Sequence, residues 1–389
     1  MHTGRILFAQ VLDFVPRHEL NRCVRRYHGN HRIRTFSCWD RFLCMAFAQL
    51  TGRESLRDIE TCLRAVYPKL YHAGIRGRIA RRTLADANEV RDWRIYADFA
   101  QILIGAARTL YARDEFAIHL DRTAYAFDST TIDLCLALFP WARFRRHKGA
   151  VKLHTPIDLR GSIPCFVCVT HGKIHDVTAL DHPILEPGPF YIMDRGYIDF
   201  ARLHRSNEAL SFFVVRAKKN LGYQRRVCRS INKTTGLRAD QTFVLCGPKT
   251  SQQYPVPLRR ITCFDAETQK RFVFLTNNFE LPAIAIARLY TCRWQVELFF
   301  KWIKQHLHIK AFYGTSENAV KTQVWVAIAT YVLVAIMKKQ IDLGLRLNEI
   351  LQILSITLFE NVPILQAFTL NDRQDHESNL CNQLELFNF

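Results

Sequence analysis

The sequence predicts an α/β protein in which a mixed β-sheet is flanked by helices and interrupted by a β-rich insertion, with an N-terminal helical domain and C-terminal helices. Three observations support this fold class. Apolar residues recur at helical spacing over residues 1–115, short β-rich segments begin at about residue 116, and long helical patterns return after about residue 280. Consecutive strands followed by a strand–helix–strand unit are expected to give a mixed sheet covered by helices.

The first 115 residues are predicted to form a helical domain. The segment CWDRFLCMAFAQLTG has helical periodicity and stops at Gly52, and the helical segment ESLRDIETCLRAVY follows directly. Thr83 is the expected N-cap of a later helix. It is preceded by a group of arginines: Arg76, Arg78, Arg81 and Arg82. Two helices joined by a short basic turn suit a DNA-reading helix-turn-helix, and a plain helical bundle with basic edges fits the pattern equally well.

Residues 116–217 are predicted to contain five strands and to form the first part of the sheet domain. The strand segments are FAIHLDRTAYAFDST, VKLHTPIDL, PCFVCVTHG, FYIMD and LSFFVVRAK. Helical stretches, HDVTALDHPIL and YIDFARLHRSNEAL, follow the third and fourth of them. Residues 218–270 are polar and rich in turns but contain further strands such as QTFVLCG and LRRITCFD, so we expect a β-rich insertion there.

The sheet domain is predicted to be completed by residues 271–315. This part contains the strand RFVFLTNN and a long helix over about 281–308, which Pro282 opens. Residues 316–389 are expected to form two more helices and a polar, acidic tail. The apolar run at 324–337, VWVAIATYVLVAIM, is too short to span a bilayer, so we expect a buried core helix and no membrane partner.

The charge balance indicates a polyanionic partner. The 389 residues include 54 lysines and arginines against 35 acidic residues, which gives a formal net charge of +19. An excess of this size suits a nucleic acid, because cations on a protein displace the counterions of a phosphate backbone. The alternative is a solvated basic surface without a specific partner.

The 12 cysteines lie mostly inside apolar segments. This placement fits buried free thiols in a reducing compartment better than a disulfide framework. Cys165 and Cys168 form a CxxC pair, but no second pair accompanies them, so a zinc site is disfavoured. No secretory signal opens the chain, and we expect a cytoplasmic protein.

Three acidic residues have a context that suits catalysis. Asp128 follows the apolar run AYAF, Asp194 follows FYIM, and Glu297 lies inside the long predicted helix. Carboxylates at the ends of neighbouring strands, joined by one from a helix, repel each other unless divalent cations neutralise them, which is typical of a Mg²⁺ or Mn²⁺ site. Two such ions would activate a water or a 3′ hydroxyl and stabilise the leaving oxygen of a phosphodiester. Taken singly, each acid is more simply a strand-end or helix-surface residue.

The helix that carries Glu297 is predicted to have two adjoining faces. At 100° per residue, one face collects an aromatic residue, the carboxylate and cations within about 80°: Tyr290, Arg293, Glu297, Lys301 and Lys304. An apolar stripe lies beside it and is predicted to pack on the core: Leu289, Cys292, Val296, Phe299, Phe300, Ile303 and Leu307. The charged face fits either i,i+4 salt bridges or a metal ligand beside phosphate-binding groups.

The spacing Tyr290-x2-Arg293-x3-Glu297-x6-Lys304 resembles the YREK signature of bacterial insertion-sequence transposases of the DDE class. FDST around Asp128, MDRGY at Asp194 and FVVRAK occur in the order that this family uses. The resemblance covers about residues 120–310, and residues 1–115 are similar in character to the helical N-terminal region of the family. It implies an RNase H-like catalytic domain, in which the catalytic glutamate lies on a helix after a β-rich insertion.

Carried over residue by residue, the resemblance implies that Asp128, Asp194 and Glu297 are the catalytic residues and the ligands of two Mg²⁺ ions, for which Mn²⁺ substitutes. Tyr290, Arg293 and Lys304 would hold phosphates at the transposon end, and Arg216 in FVVRAK would be a basic residue near the active site. Lys301 lies on the same predicted helix face. Basic residues on the loop and strand of ARFRRHKGAVKLH are a candidate track for the phosphate backbone: Arg143, Arg145, Arg146, His147, Lys148 and Lys152.

The leading hypothesis is therefore a transposase that binds the terminal inverted repeats of its element in double-stranded DNA, hydrolyses the ends and joins the 3′ hydroxyls to target DNA. It would act on the bacterial nucleoid as a homodimer, because two ends are cut in concert. An RNase H-like nuclease without strand transfer and a non-catalytic DNA-binding relative are the alternatives. Some relatives stack a flipped base on an aromatic residue of the insertion, but residues 218–270 contain no tryptophan. That role would fall to Tyr223, Phe243, Tyr254 or Phe264.

Overall fold

The computed structural model contains α-helices and one large β-sheet, and it describes residues 4–114, 120, 122–181, 186–218, 220–266, 269–306 and 312–369. The helices before the sheet are α1 (Leu7–Leu12), α2 (Arg17–Arg26), α3 (Cys38–Leu50), α4 (Leu56–Ala65), α5 (Tyr67–Leu70), α6 (Arg81–Val90) and α7 (Arg94–Tyr111). The later helices are α8 (Phe200–Glu208), α9 (Pro248–Gln253), α10 (Ala283–Thr291), α11 (Trp294–His306), α12 (Glu317–Gln340) and α13 (Leu347–Thr357).

The strands all belong to one sheet with the order β2-β3-β1-β6-β7-β11-β10-β9-β8, in which β4 and β5 also pair with β3. The first strands are β1 (Ala124–Leu134), β2 (Arg143–Arg145), β3 (Lys148–Asp158), β4 (Ile163–Pro164), β5 (Cys168–His171), β6 (Phe190–Met193) and β7 (Phe212–Arg216). The remaining strands are β8 (Tyr223–Arg229), β9 (Leu237–Leu245), β10 (Leu258–Asp265) and β11 (Lys270–Thr276).

The predicted α/β fold class is confirmed by the way these strands connect. β1, β3 and β5 are successive antiparallel neighbours, whereas β6 and β7 run parallel to β1 and are joined by the crossover helix α8. Antiparallel hairpins followed by a strand–helix–strand unit give the mixed sheet of an RNase H-like fold. The helix predicted over HDVTALDHPIL is a short 3₁₀ helix, Asp176–Asp181, and residues 182–185 of that stretch lie outside the described residues.

The predicted insertion extends this sheet rather than folding beside it. β8, β9, β10 and β11 form an antiparallel meander, and β11 then pairs with β7. The pairing joins Arg216 to Phe274 and Val214 to Thr276, so β11 returns to lie beside β7, the strand that precedes the insertion. Any side chain on β7 is therefore placed in register with both the first part of the domain and the insertion.

One face of the sheet packs on the main apolar core of this domain. Phe127, Met193, Val215 and Leu275 project from neighbouring strands into a cluster that α8 covers with residues such as Leu203. Side chains alternate between the two faces of a strand, so residues one position away project from the opposite face. We call that opposite face the catalytic face, because the predicted catalytic acids Asp128 and Asp194 directly follow Phe127 and Met193.

The described chain divides into two compact units. Residues 111–301 form the sheet unit, and the helices up to residue 110 and from residue 302 form a helical unit. The sequence-based boundaries assign the C-terminal helices to a region of their own, whereas α12 makes its most extensive helix–helix contacts with α3. Among the described residues, α12 is the one helix long and apolar enough to cross a membrane, but 94% of its most apolar window is buried inside the protein. It is a core helix, as predicted.

The start of α6 differs from the prediction. Ala80 occupies the N-cap position and α6 begins at Arg81, so Thr83 lies inside the helix and does not cap it. The physical reason is that the chain is already extended at Ala80, where φ is −106° and ψ is 140°, and turns helical directly after it. Arg76, Arg78 and Arg82 are exposed around this start, which keeps them available to a polyanion.

Gly161 is a site where the fold requires glycine, and its replacement is a test of the sheet unit. The residue has φ of +76°, and an added Cβ would lie 2.2 Å from the ring of Tyr111. Gly161→Ala combines left-handed backbone strain with overpacking, so we expect the free energy of unfolding to fall by about 2–4 kcal/mol. Gly222→Ala is the matched control, because nothing lies within 4 Å of its added Cβ. Urea denaturation measures both variants, and an equal effect of the two would contradict the prediction.

Candidate active site

Two of the predicted acids are placed side by side by the sheet. Phe127 of β1 pairs in parallel with Met193 of β6, and Asp128 and Asp194 are the next residues on their strands. Because Phe127 and Met193 point into the core, Asp128 and Asp194 both project from the catalytic face. The four apolar residues of β6 are all buried, and they hold the backbone of Asp194 at the point where the strand ends.

Asp128 differs from the prediction in one respect, because it lies inside its strand rather than at the end. β3 continues to pair with β1 as far as Leu134, and this second partner keeps β1 extended after β6 has stopped. The turn after Asp194 does not require the glycine that it contains. Gly196 lies in a 3₁₀ turn without a positive φ, and an added Cβ would have nothing within 4 Å.

The single helix predicted over residues 281–308 is wrong. The chain forms α10 and α11 with a tight turn at Cys292 and Arg293 between them. In this turn the amide of Val296 donates to the carbonyl oxygen of Arg293, one residue closer than in an α-helix. Tyr290 therefore lies in the last turn of α10, and Glu297 lies in the first turn of α11. The predicted apolar stripe is buried as far as Ile303, and Leu307 lies outside the described residues.

Arg293, in this turn, links the helix to the sheet. Its Nη1 donates to Asp128 Oδ2 at 2.6 Å, and its Nη2 donates to Oε1 of Glu297. The hydroxyl of Tyr290 donates to Asp194 Oδ1 at 3.1 Å, and its ring lies 4.5 Å from that of Phe274 on the catalytic face. Each of the three acids thus contacts a residue of the turn or of the last turn of α10.

The pKa of Asp128 responds to burial and to the other two carboxylates. Burial raises the pKa of Asp128, and the charges of Glu297 and Asp194 raise it further, against the opposing effects of the Ser129 amide and Arg293. Burial, together with the charge of Asp194, also raises the pKa of Tyr290 to about 12. Burial disfavours the charge on Arg293, but its anionic neighbours outweigh this and raise its pKa. Arg293 is therefore a permanent cation among acids.

The donor set of this site suits a hard divalent cation. Its three side chains offer only carboxylate oxygens, which are the ligands that Mg²⁺ prefers. In the described part of the chain, no three His, Cys, Asp or Glu side chains are already close enough to hold one metal ion together. The guanidinium of Arg293 occupies one oxygen of Asp128 and one of Glu297. Glu297 is 58% exposed and on the first turn of its helix, so its side chain has room to reorient.

A second network begins at Ser129, the residue that follows Asp128 on β1. Ser129 Oγ donates to Asp176 Oδ1 at 2.8 Å, and Lys152 Nζ donates to the same oxygen at 3.1 Å. Burial raises the pKa of Asp176, but these two donors outweigh it and leave the pKa below its usual value. Lys152 was expected on a DNA-facing edge, whereas its ammonium is held by Asp176 and the carbonyl oxygen of Ile174. The β1–β3 register is what brings these residues together, and it cannot be read from the sequence.

The remaining candidate residues fall into two groups. Arg216 follows Val215, the partner of Met193, so it lies in register with Asp194 on the catalytic face, with its guanidinium 5.0 Å from the Phe272 ring centroid. Lys301 and Lys304 are exposed on α11, one and two turns after Glu297. The basic loop proves to be a hairpin in which Arg145 pairs with Lys148 around Arg146 and His147, all exposed.

Comparison with known proteins identifies the family of this chain. Residues 119–333, more than half of the chain, match the family model described as "Transposase DDE domain", and residues 3–76 match "Domain of unknown function (DUF4372)". "Putative transposase y4zB" of Sinorhizobium fredii is 34% identical over 261 residues, which are 66% of this chain and 71% of that protein. "Probable transposase for insertion sequence element IS5377" of Geobacillus stearothermophilus is 32% identical over 223 residues, 56% of this chain and 58% of that protein.

Among solved structures, the cryo-EM structure of a piggyBac transposase synaptic complex with hairpin DNA aligns with a TM-score of 0.44 at 10% identity, covering 97% of this chain and 84% of that chain. The matched family model spans β1, β6 and α11, which are the elements that carry the three acids. The chain belongs to the Transposase DDE domain family.

Proposed function

We propose that this chain is the transposase of an insertion sequence, and that it cleaves the two ends of its element and joins the freed 3′ hydroxyls to target DNA. The observation that carries the proposal is the convergence of Asp128, Asp194 and Glu297 on one turn of the chain, where Arg293 and Tyr290 contact them. The proposal also rests on the family, whose members are DDE transposases.

Asp128, Asp194 and Glu297 would hold two Mg²⁺ ions, or Mn²⁺ in their place. When bound, such ions supply Lewis-acid activation of a water or 3′ hydroxyl and stabilise the leaving oxygen of the phosphodiester. The chain supplies the geometry. β6 fixes Asp194 against the core, β1 and its hydrogen bond from the Ser129 amide fix Asp128, and the exposed Glu297 completes the set from the helix. The high pKa of Arg293 keeps it positively charged wherever the carboxylates are ionised.

Tyr290, Arg293, Glu297 and Lys304 act together as a YREK signature in this proposal. The planar guanidinium of Arg293 bridges two carboxylates and is equally suited to two oxygens of a phosphate. Lys304 and Lys301 present exposed ammonium groups farther along the same helix, where they would meet the backbone of the bound end. Arg216 lies beside Asp194 in the sheet and would contact the DNA strand nearest the cleaved bond.

Recognition of the terminal inverted repeats is assigned to the N-terminal helical domain, whose exposed arginines precede α6. The hairpin carrying Arg145, Arg146 and Lys148 would follow the phosphate backbone of the duplex. Because two ends must be cut in concert, the active form is a homodimer assembled on double-stranded DNA. The net charge of +19 favours that assembly on a polyanion.

The test uses the DNA that surrounds the gene. Purified protein is incubated with Mg²⁺ and a linear fragment carrying the gene and its flanking DNA, and the products are mapped to single-nucleotide resolution. We expect cuts that expose 3′ hydroxyls at two short inverted repeats, and joining of those ends to a supercoiled plasmid. A fragment with both repeats scrambled is the control. Equal cutting of the two fragments, or cutting without joining, would identify a nuclease and overturn the proposal.

A further inference from the structure

The insertion presents an arginine-rich surface on the side of the sheet away from the catalytic face. Directly paired residues lie on the same face, and the register assigns five side chains of the meander to this surface: Tyr223, Arg225, Arg260, Phe264 and Arg271. Arg238, at the register irregularity of β9, joins them through its contact with the Phe264 ring. We call these residues the arginine face. Arg260 is the cross-strand partner of Leu275, a core residue, whereas Tyr290 and α10 pack on Phe274, which faces the other way.

Two of these arginines are ordered by aromatic rings. The guanidinium of Arg260 lies 5.1 Å from the ring centroid of Tyr223, which itself packs edge-on against buried Phe243. Arg238 lies 5.4 Å from the ring centroid of Phe264, and Arg271 pairs across the strands with Phe264. A guanidinium held against a ring has already lost much of its freedom, so less entropy is lost when it binds a ligand.

The arginine face has an excess of positive charge that its own neighbours do not neutralise. Within the described residues, none of its four arginines forms a salt bridge, and the nearby acids Asp240 and Asp265 alternate onto the opposite face. Arg225, Arg238 and Arg271 are exposed. Arg260 and Phe264 are four residues apart on β10, so the surface extends about 14 Å along the strands.

We propose that the arginine face is a second DNA-binding surface, which contacts the phosphate backbone of duplex DNA outside the active site. Duplex fits better than single-stranded DNA, because guanidinium groups already lie on the Tyr223 and Phe264 rings. Phe243 and Tyr254 are 0% and 1% exposed, so neither can stack on a base. Planar guanidinium groups instead match phosphate oxygens in pairs. The inference rests on the proposed function, since it requires a protein that acts on DNA.

A second copy of the chain is the competing occupant of this region. β8 is an edge strand of the sheet and is exposed along almost its whole length, which is the usual geometry for pairing with another strand. However, Arg225, Arg226 and Arg229 lie on that strand, and an antiparallel pair of two such strands would bring like charges together. The charge pattern therefore favours a polyanion over self-pairing.

The experiment measures how DNA affinity depends on salt. The triple variant Arg225→Gln/Arg238→Gln/Arg271→Gln is compared with Lys233→Gln/Lys249→Gln/Lys270→Gln, which removes the same charge from exposed positions of the insertion that are not part of the arginine face. Binding of the full chain to a duplex is followed by fluorescence anisotropy between 50 and about 300 mM salt. Log affinity falls as log salt concentration rises, and each lost phosphate contact makes this slope shallower by about 0.9. We therefore expect the slope of the arginine variant to be shallower by roughly 2.7 than that of the unmodified protein. The lysine variant should keep the slope of the unmodified protein.

The outcomes separate this inference from the proposed function. If both triple variants lose the same slope, or if neither does, the arginine face is not a DNA site, even when the unmodified protein cuts its element. Tighter binding of the unmodified protein to a single strand than to a duplex of equal length would overturn the duplex assignment. Sedimentation velocity without DNA is the remaining measurement, and a change of oligomeric state in the arginine variant would identify a protein interface instead. Failure of the unmodified protein to cut any end concerns the proposed function alone.

Discussion

Replacing Asp194 by asparagine is expected to lower both end cleavage and strand joining by about three orders of magnitude. Asparagine keeps the shape of the side chain and can still accept the hydrogen bond from the Tyr290 hydroxyl. What it removes is a negative charge that the proposed site needs in order to hold a divalent cation. Loss of several kcal/mol of transition-state stabilisation corresponds to about a thousandfold change in rate. Asp128→Asn should have an effect of the same order.

Asp133→Asn is the matched control for both variants. It removes a carboxylate from the strand that carries Asp128, but the side chain of Asp133 is exposed. Because successive side chains of a strand alternate between its two faces, Asp133, five residues after Asp128, projects from the face opposite to that of Asp128. Cleavage is measured under single-turnover conditions with saturating DNA, and anisotropy reports DNA binding separately. Cleavage by Asp194→Asn within tenfold of the unmodified protein would remove Asp194 from the catalytic set. A loss of cleavage in Asp133→Asn of the same size would show that the assay reports general damage.

The sequence is informative about this site because each acid has a local signal. An apolar run of four residues identifies the end of β6, and the spacing from Tyr290 to Lys304 identifies a charged face. Their proximity is not local information. The pairing of Phe127 with Met193 joins positions 66 residues apart, from 193 − 127, and depends on the crossover through the intervening strands. The expectation that the three acids lie together came from the order of the motifs in the family that the sequence resembles.

The turn between α10 and α11 shows where periodicity alone fails. The apolar stripe continues from Leu289 through Val296 without interruption, so a single helix is the natural prediction. The structure instead uses Cys292 and Arg293 as a turn, and Arg293 gains contacts with an acid of the sheet and an acid of the helix. A tertiary interaction has overridden a local preference, which is common at functional sites. The pairing of β7 with β11 escaped prediction for a related reason, since it closes over the whole insertion.

The largest expected effect on stability is that of Asp240→Asn in the insertion. Asp240 and Arg259 form a two-point ion pair with distances of 2.9 Å and 2.8 Å, and their side chains are only 5% and 4% exposed. The variant leaves the arginine buried without its counter-charge, so we expect the free energy of unfolding to fall by about 3–5 kcal/mol. Arg259 also donates to the carbonyl oxygens of Asn278 and Leu281, just before α10. Loosening this anchor should therefore slow cleavage as well, because α10 carries Tyr290.

Arg229 provides the internal comparison, because it binds the same carboxylate at 3.3 Å from a side chain that is 35% exposed. Solvent screens that contact, so Arg229→Gln should cost less than about 1 kcal/mol. The double variant Asp240→Leu/Arg259→Met buries no charge and should be more stable than Asp240→Asn, since an unpaired buried ion costs more than an apolar pair. Chemical denaturation measures the free energy of unfolding of the unmodified protein, Asp240→Asn, Arg229→Gln and the double variant. Equal losses of unfolding free energy for Asp240→Asn and Arg229→Gln would mean that burial does not set the strength of the Asp240–Arg259 pair. The insertion would then be anchored to α10 by something other than Arg259.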